Sequence, residues 1–136
     1  MTQSSYIILG AGASGLMLAY RMSQDRNFDD KSILIIDQVK DKGNDRTWCY
    51  WEEGEGEWDD LLSKKWSKVF FGSEDFTNTL DISPYTYKMI RSQKFYHKLW
   101  RSIEQKSNFI FVEDSVKKYS EVENGIKVVT NKSTYF

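Results

Sequence analysis

Two short apolar blocks flank a helical pattern near the N-terminus. Tyr6-Ile7-Ile8-Leu9 forms the first block and Ser32-Ile33-Leu34-Ile35-Ile36 carries the second. The pattern predicts a strand at about Tyr6–Leu9, whose unbroken run is typical of burial on both faces, and a second at about Ser32–Ile36. Between them Leu16, Ala19, Tyr20 and Met22 make an apolar side, with Arg21 on the wet side. A helix at about Ser14–Gln24 follows, then a polar turn at Asn27–Lys31. Strand, helix and strand in this order make a right-handed crossover with parallel strands.

Further along, Gln38–Arg46 reads as a polar loop that turns at Gly43-Asn44, and the aromatic segment Thr47-Trp48-Cys49-Tyr50-Trp51 follows it. Glu52, Glu53, Glu55, Glu57, Asp59 and Asp60 form an acid-rich patch. Calcium loops need a spaced ligand pattern that is missing there, so the patch reads as a solvated loop and not as a metal site. Val69-Phe70-Phe71 suits a short strand, and Asp81–Lys88, with the only proline, an extended segment or turn. Phe95, Leu99 and Ile103 recur every four residues and predict a second helix at about Ser92–Lys106, with Ser92 as its N-cap. Asn108–Val112 and Val116–Tyr119 read as strands. Glu123-Asn124-Gly125 then offers a hairpin turn into Ile126–Thr130.

The junction between the first strand and helix carries chemistry. Gly10-Ala11-Gly12-Ala13-Ser14-Gly15 is a G-x-G-x-x-G, and Asp37 closes the second strand. Gly10 permits the tight turn, Gly12 lets the backbone approach a pyrophosphate, and Gly15 lets the helix pack close to the strand. The helix N-terminus, with backbone N–H groups at Ala13 and Ser14, suits phosphate. Asp37, about 20 residues on, is placed to accept from a ribose 2′-hydroxyl; an acid there repels a 2′-phosphate, which points to FAD or NAD. The predicted cofactor-binding residues in this segment are Gly10, Ala11, Gly12, Ala13, Ser14, Gly15 and Asp37.

Composition narrows the classes. A chain of 136 residues with net charge −1 is one domain's worth of sequence and gives no case for nucleic acid. The single cysteine, Cys49, excludes an internal disulfide, fits a reducing compartment and is expected as an inert packed thiol. His97, the only histidine, has no Cys or second His with which to share a metal and is expected on a helix surface. The uncharged run 6–20 is too short to span a bilayer, is broken by glycines and follows no basic region, so a soluble or peripheral cytoplasmic protein is expected. Five Trp, eight Tyr and eight Phe serve a core and leave some for an apolar ligand.

A nicotinamide-type domain continues by alternating strands and helices. Here a long middle segment comes first, then a helix, a strand and a hairpin. The fold class read from this order is α/β: a Rossmann-like FAD-binding βαβ unit followed by a helix and a β-hairpin or meander, an incomplete flavoprotein fold. The expected domain is 1–136, the N-terminal part of a FAD/NAD(P)-binding domain, with a substrate-side segment at about 45–90.

Asp45-Arg46-Thr47-Trp48-Cys49-Tyr50-Trp51 resembles the N-H-T-W-S-F-W segment of lycopene cyclases of the bacterial β-cyclase type. Tyr87-Lys88-Met89-Ile90-Arg91-Ser92-Gln93-Lys94-Phe95 is similar to that family's Y-x-x-I-x-S-x-x-F. With the glycine motif, the matches run in order across residues 6–99. The resemblance implies a FAD-dependent enzyme that closes the ends of lycopene, or a related linear carotenoid, into β-ionone rings. It also implies reduced FAD, NAD(P)H as electron donor, and peripheral membrane contact to reach a hydrocarbon substrate. By the same resemblance Val116 contacts adenine through its backbone, and Arg46 and Trp48 are placed near cofactor or substrate. Trp48 reads more simply as a core residue, and Val116 equally well as an ordinary strand residue. Arg46 and Cys49 depart from the family's His and small hydroxyl residue. The family's acidic proton-donating segment has no counterpart in this chain, so no catalytic residue is assigned, and the chain reads as an N-terminal fragment holding the AMP half of FAD. Two other readings stay open: another FAD enzyme of this fold, such as an aromatic monooxygenase or isoprenoid reductase, and a non-catalytic nucleotide-binding module.

Overall fold

The computed structural model describes residues 3–136. The chain forms two compact units, one from the chain up to Lys42 together with Tyr96–Phe136, the other from Gly43–Phe95. The first unit opens with strand β1 (Tyr6–Leu9), helix α1 (Ala13–Gln24) and strand β2 (Ile33–Asp37). The second unit holds β3 (Thr47–Glu53), β4 (Leu62–Trp66), β5 (Lys68–Gly72), β6 (Thr77–Asp81) and β7 (Tyr85–Arg91). Helix α2 (Ser92–Ile103) begins in that unit and continues into the first, which is completed by β8 (Phe109–Glu113), β9 (Val116–Val122), β10 (Gly125–Thr130) and β11 (Thr134–Tyr135).

In the first unit β1, β2 and β8 make a parallel sheet with β2 in the middle. The central position explains the burial. Ile33, Leu34, Ile35 and Ile36 are all buried, each worth about 1.5–3 kcal/mol. Alternation sends Leu34 and Ile36 to one face, where they meet Val128 and Tyr135 of the antiparallel β9-β10-β11 meander, joined by Ile7 and Val112. The other face carries Ile8 beside Ile35, and Gly15 of α1 lies against Ile8 there. The α1 residues expected on the apolar side, Leu16, Ala19, Tyr20 and Met22, are buried.

Strand β1 corrects its sequence reading. It pairs only with β2 among the described residues, and Tyr6 and Leu9 are 45% and 41% exposed. An apolar run registers the strand but not its place in the sheet, and among the described residues β1 lies at the edge. Helix α2 also ends three residues early, at Ile103. Lys106 is drawn to Asp29 (2.9 Å), and the Asn108 amide donates to the Phe28 and Lys31 carbonyls, both at 2.8 Å. That side chain bonds the polar turn at 27–31 instead of leaving its segment to extend the helix.

The second unit is a three-stranded antiparallel sheet, β3-β7-β4, plus the β5-β6 hairpin. Ser92 is the first residue of α2 and not the residue before it. Its hydroxyl accepts the Arg46 amide (3.0 Å), and its own amide donates to the Arg46 carbonyl (3.0 Å), so it fixes the start of β3 and not a free helix end.

Candidate functional site

The turn from β1 into α1 is built by three glycines, each required for a different reason. Gly10 has φ +98, a left-handed conformation that side chains resist, and its amide holds the Ile36 carbonyl at 2.8 Å. A side chain at Gly15 would collide with the Gly10 carbonyl oxygen. Gly12, the N-cap of α1, has an ordinary φ of −78, and a Cβ there would meet nothing within 4 Å. Neither backbone strain nor packing demands glycine at position 12, so its missing side chain leaves a clear approach to the helix end. The first-turn amides at Ala13 and Ser14 have no intrahelical acceptors, and Ser14 is exposed. This is a cradle that fits a pyrophosphate.

Ala11 is committed elsewhere. It is 1% exposed, and its amide donates to Asp37 Oδ2 at 2.6 Å. Asp37 Oδ1 accepts from the Val39 amide (3.1 Å) and the Lys42 ammonium (2.8 Å). Burial pushes the Asp37 carboxyl up, but the bonds from Lys42, Ala11 and Val39 outweigh it, and the pKa lies below the ordinary value. A carboxylate has about four acceptor positions, and three are filled. The open one belongs to Oδ2, the oxygen that the Ala11 amide of the glycine turn already holds.

Val116 opens β9, opposite Thr130, and is 36% exposed. The Asp114 amide donates to the Asp37 carbonyl at 2.9 Å, which ties the approach to β9 to the end of β2. Asp114 is itself buried and accepts from the Ser115 and Lys132 amides at 2.7 and 3.1 Å. Burial would raise its pKa; the bonds from Thr130, Ser115 and Lys132 bring it below the usual carboxylate value.

In the second unit, alternation sorts the aromatic segment onto two faces of the β3-β7-β4 sheet. One face carries Trp48, half-buried, edge-on to Phe95 at 5.4 Å, with Trp58 edge-on to the same ring at 5.1 Å. The opposite face is open. On it Trp51 packs on Tyr87 (ring centroids 4.9 Å) and Tyr87 on Trp66 (5.7 Å), a row of three aromatics across three strands. Trp51 is 54% exposed. Cys49 is on this face, so the expectation of a packed thiol is overturned: it is exposed, and its contact is a hydrogen bond with the Tyr87 hydroxyl, which raises the phenol's pKa. Arg46 is exposed, as is His97 on α2.

The acidic patch is not simply a solvated loop. Lys88, 1% exposed, donates to Asp59 Oδ1 (2.7 Å), Glu52 Oε2 (2.8 Å) and the Gly54 carbonyl (2.9 Å), which uses all three ammonium protons. The bonds to Asp59 and Glu52 raise the Lys88 pKa. Glu52 and Glu53 are themselves the last residues of β3. The signal for Lys88 was its period-two spacing: it shares an inward face with Ile90 and lies opposite Tyr50. The buried Tyr50 hydroxyl has no hydrogen-bond partner, and burial, followed by the nearby Glu52 charge, raises its pKa. Among the described residues no group of His, Cys, Asp and Glu is arranged to hold a metal, and no helix is long and apolar enough to cross a membrane.

A parallel sheet whose first crossover opens on this cradle, and whose second crossover is split by an antiparallel sheet, defines a Rossmann-like fold of the flavoprotein kind. The solved structures of this shape agree. A probable FAD-dependent monooxygenase from Pseudomonas aeruginosa, PqsL, superposes with TM-score 0.69 at 12% identity over 98% of this chain. NikD, an unusual amino acid oxidase essential for nikkomycin biosynthesis, gives 0.62 at 12% over 99%, and the flavin-dependent brominase Bmp2 gives 0.60 at 13% over 98%. The family model described as "Lycopene cyclase protein" matches residues 6–134, and the chain belongs to the lycopene cyclase family. A local similarity, 49% over 35 residues, links it to the amino acid oxidase fsqB of Aspergillus fumigatus and covers 26% of this chain and 7% of that protein. The chain spans 40%, 49% and 36% of the PqsL, NikD and Bmp2 chains.

Proposed function

We propose that this chain is the nucleotide-binding part of a FAD-dependent enzyme that cyclises the ends of lycopene or a related linear carotenoid. The observation that carries the cofactor half is Gly12, a glycine that neither strain nor packing requires, at the mouth of a helix whose first amides are free for a pyrophosphate. Asp37 suits an unphosphorylated ribose, because a carboxylate with one open acceptor position takes one hydroxyl and repels a phosphate. Family membership supports the substrate, and the open Trp51-Tyr87-Trp66 row supplies apolar π surface on which a polyene chain can lie.

When bound and reduced, with NAD(P)H as the electron source, the flavin supplies negative charge that stabilises a carbocation-like transition state in a dry pocket. This chain's own residues bind and orient: Gly12, Ala13 and Ser14 hold the pyrophosphate, and Asp37 the ribose. Val116 contributes a backbone contact to adenine. The aromatic row offers one side of the polyene an apolar surface in place of water. Access to a substrate dissolved in bilayers implies peripheral membrane contact. The test is carotenoid analysis of lycopene-accumulating cells that produce the enzyme containing this chain. Ring-bearing products support the reading, and unchanged lycopene beside folded, flavin-loaded protein contradicts it.

A further inference from the structure

We infer that Lys42 is a positioning residue for the nucleotide site, one that locks the Asp37 carboxylate so that its remaining acceptor position faces the ribose 2′-hydroxyl. The inference rests on the FAD reading above and concerns how that site recognises the sugar.

The geometry is specific. Lys42 Nζ lies 2.8 Å from Asp37 Oδ1, and the two side chains are only 19% and 15% exposed. The Val39 amide fills the same oxygen's second position. Oδ2 is thereby left to the Ala11 amide and one further donor. Without the ammonium, Oδ1 regains an open position, the carboxylate can rotate about its own bond, and a ribose hydroxyl no longer meets one defined acceptor. Neighbouring charges do not substitute for Lys42. Lys40 is spent on Glu104 at 2.7 Å, and its amide donates to Glu113 Oε2. Glu113, beside Asp37 in the sheet register, adds only negative charge. Lys42 lies in a loop past the end of β2, so sequence spacing alone does not mark it; the ion pair does.

The test compares FAD with its analogue lacking the adenosine 2′-hydroxyl, by flavin-fluorescence titration of the enzyme containing this chain as wild type, Lys42→Met and Lys42→Arg. A hydrogen bond to a charged group supports roughly tenfold discrimination by wild type in favour of FAD. Lys42→Met is expected to reduce that discrimination to about threefold or less, and Lys42→Arg to restore it. If Lys42 acts only as a general positive charge, Lys42→Met weakens both ligands by the same factor and discrimination stays, which overturns the inference. Wild type that binds both ligands equally also overturns it, whereas wild type that binds neither overturns the FAD reading and this inference with it. A ligand-free measurement stands beside these: the Ala11 amide, bonded to the locked carboxylate, should exchange faster in Lys42→Met, and unchanged exchange contradicts the lock. Lys42→Gln serves for the same measurements if the methionine variant does not fold.

Discussion

The α-carbon of Gly15 lies against the carbonyl oxygen of Gly10, so closely that no side chain fits between them. This contact sets how near α1 approaches β1, and it separates two roles within one glycine motif. Gly15 serves the fold, and Gly12 faces open space.

Substituting these two glycines should therefore give opposite results. Gly15→Ala drives a methyl into backbone, which cannot move aside cheaply, and is expected to cost about 1–3 kcal/mol in urea unfolding. Gly12→Ala is expected to cost less than about 1 kcal/mol, the scale of an N-cap change, while it weakens FAD binding. Equal destabilisation by the two would contradict the division of labour.

Removing the ammonium of Lys88 should loosen the second unit. Lys88→Met leaves the Glu52 and Asp59 carboxylates and the Gly54 carbonyl without their shared donor. A fall in Tm of roughly 10 °C is expected, since the buried end of a charge cluster loses its partner. Thermal unfolding followed by tryptophan fluorescence reports it through Trp51 and Trp58. A Tm within 2 °C or so of wild type would show the cluster to be dispensable.

Acid should destabilise the first unit through Asp114 and Asp37. Both folded carboxyls sit below the ordinary aspartate value of 3.8, so the unfolded chain binds protons first as pH falls. Their contribution is fully present well above pH 3.8 and is lost as pH drops through the lowered folded values. Asp114→Asn is expected to flatten the acid limb of a stability-against-pH curve. An unchanged limb would rule out Asp114 as a source of it.

Trp51 should matter for substrate more than for folding. It is more than half exposed on an edge strand, so Trp51→Ala is expected to shift stability by less than about 1 kcal/mol. In the enzyme containing this chain, the same substitution should lower ring formation from lycopene several-fold, measured by product analysis at matched protein levels. Undiminished turnover would remove the aromatic row from the substrate site.

How much of this was legible in the sequence depends on which interactions carry each element. The glycine turn, α1 and β2 could be read because local constraints and apolar periodicity define them: Gly10 needs a left-handed φ, and Ile33–Ile36 is buried throughout. The Phe95, Leu99 and Ile103 stripe likewise marked α2. The edge position of β1 was not legible, since an apolar run does not name its neighbours. Cys49 was misjudged because β3 buries one face only, and period two put the thiol on the open one. Lys88 with Glu52 and Asp59 was missed because its partners lie 36 and 29 residues away, and only the fold brings those charges together. Around the glycine turn, the need for glycine at positions 10 and 15 was readable, but the use of the Ala11 amide and Lys42 ammonium on Asp37 was not.

The central claim is that the turn at Gly10–Gly15 holds the pyrophosphate of FAD. Its most direct measurement is an equilibrium titration of flavin fluorescence with the wild-type enzyme containing this chain and with its Gly12→Val variant, each first shown to be folded by circular dichroism. The account predicts saturable binding by wild type and loss of binding by at least about tenfold when the valine side chain fills the cradle. Folded wild type that leaves FAD fluorescence unchanged, or a valine variant that binds FAD as tightly, would contradict it.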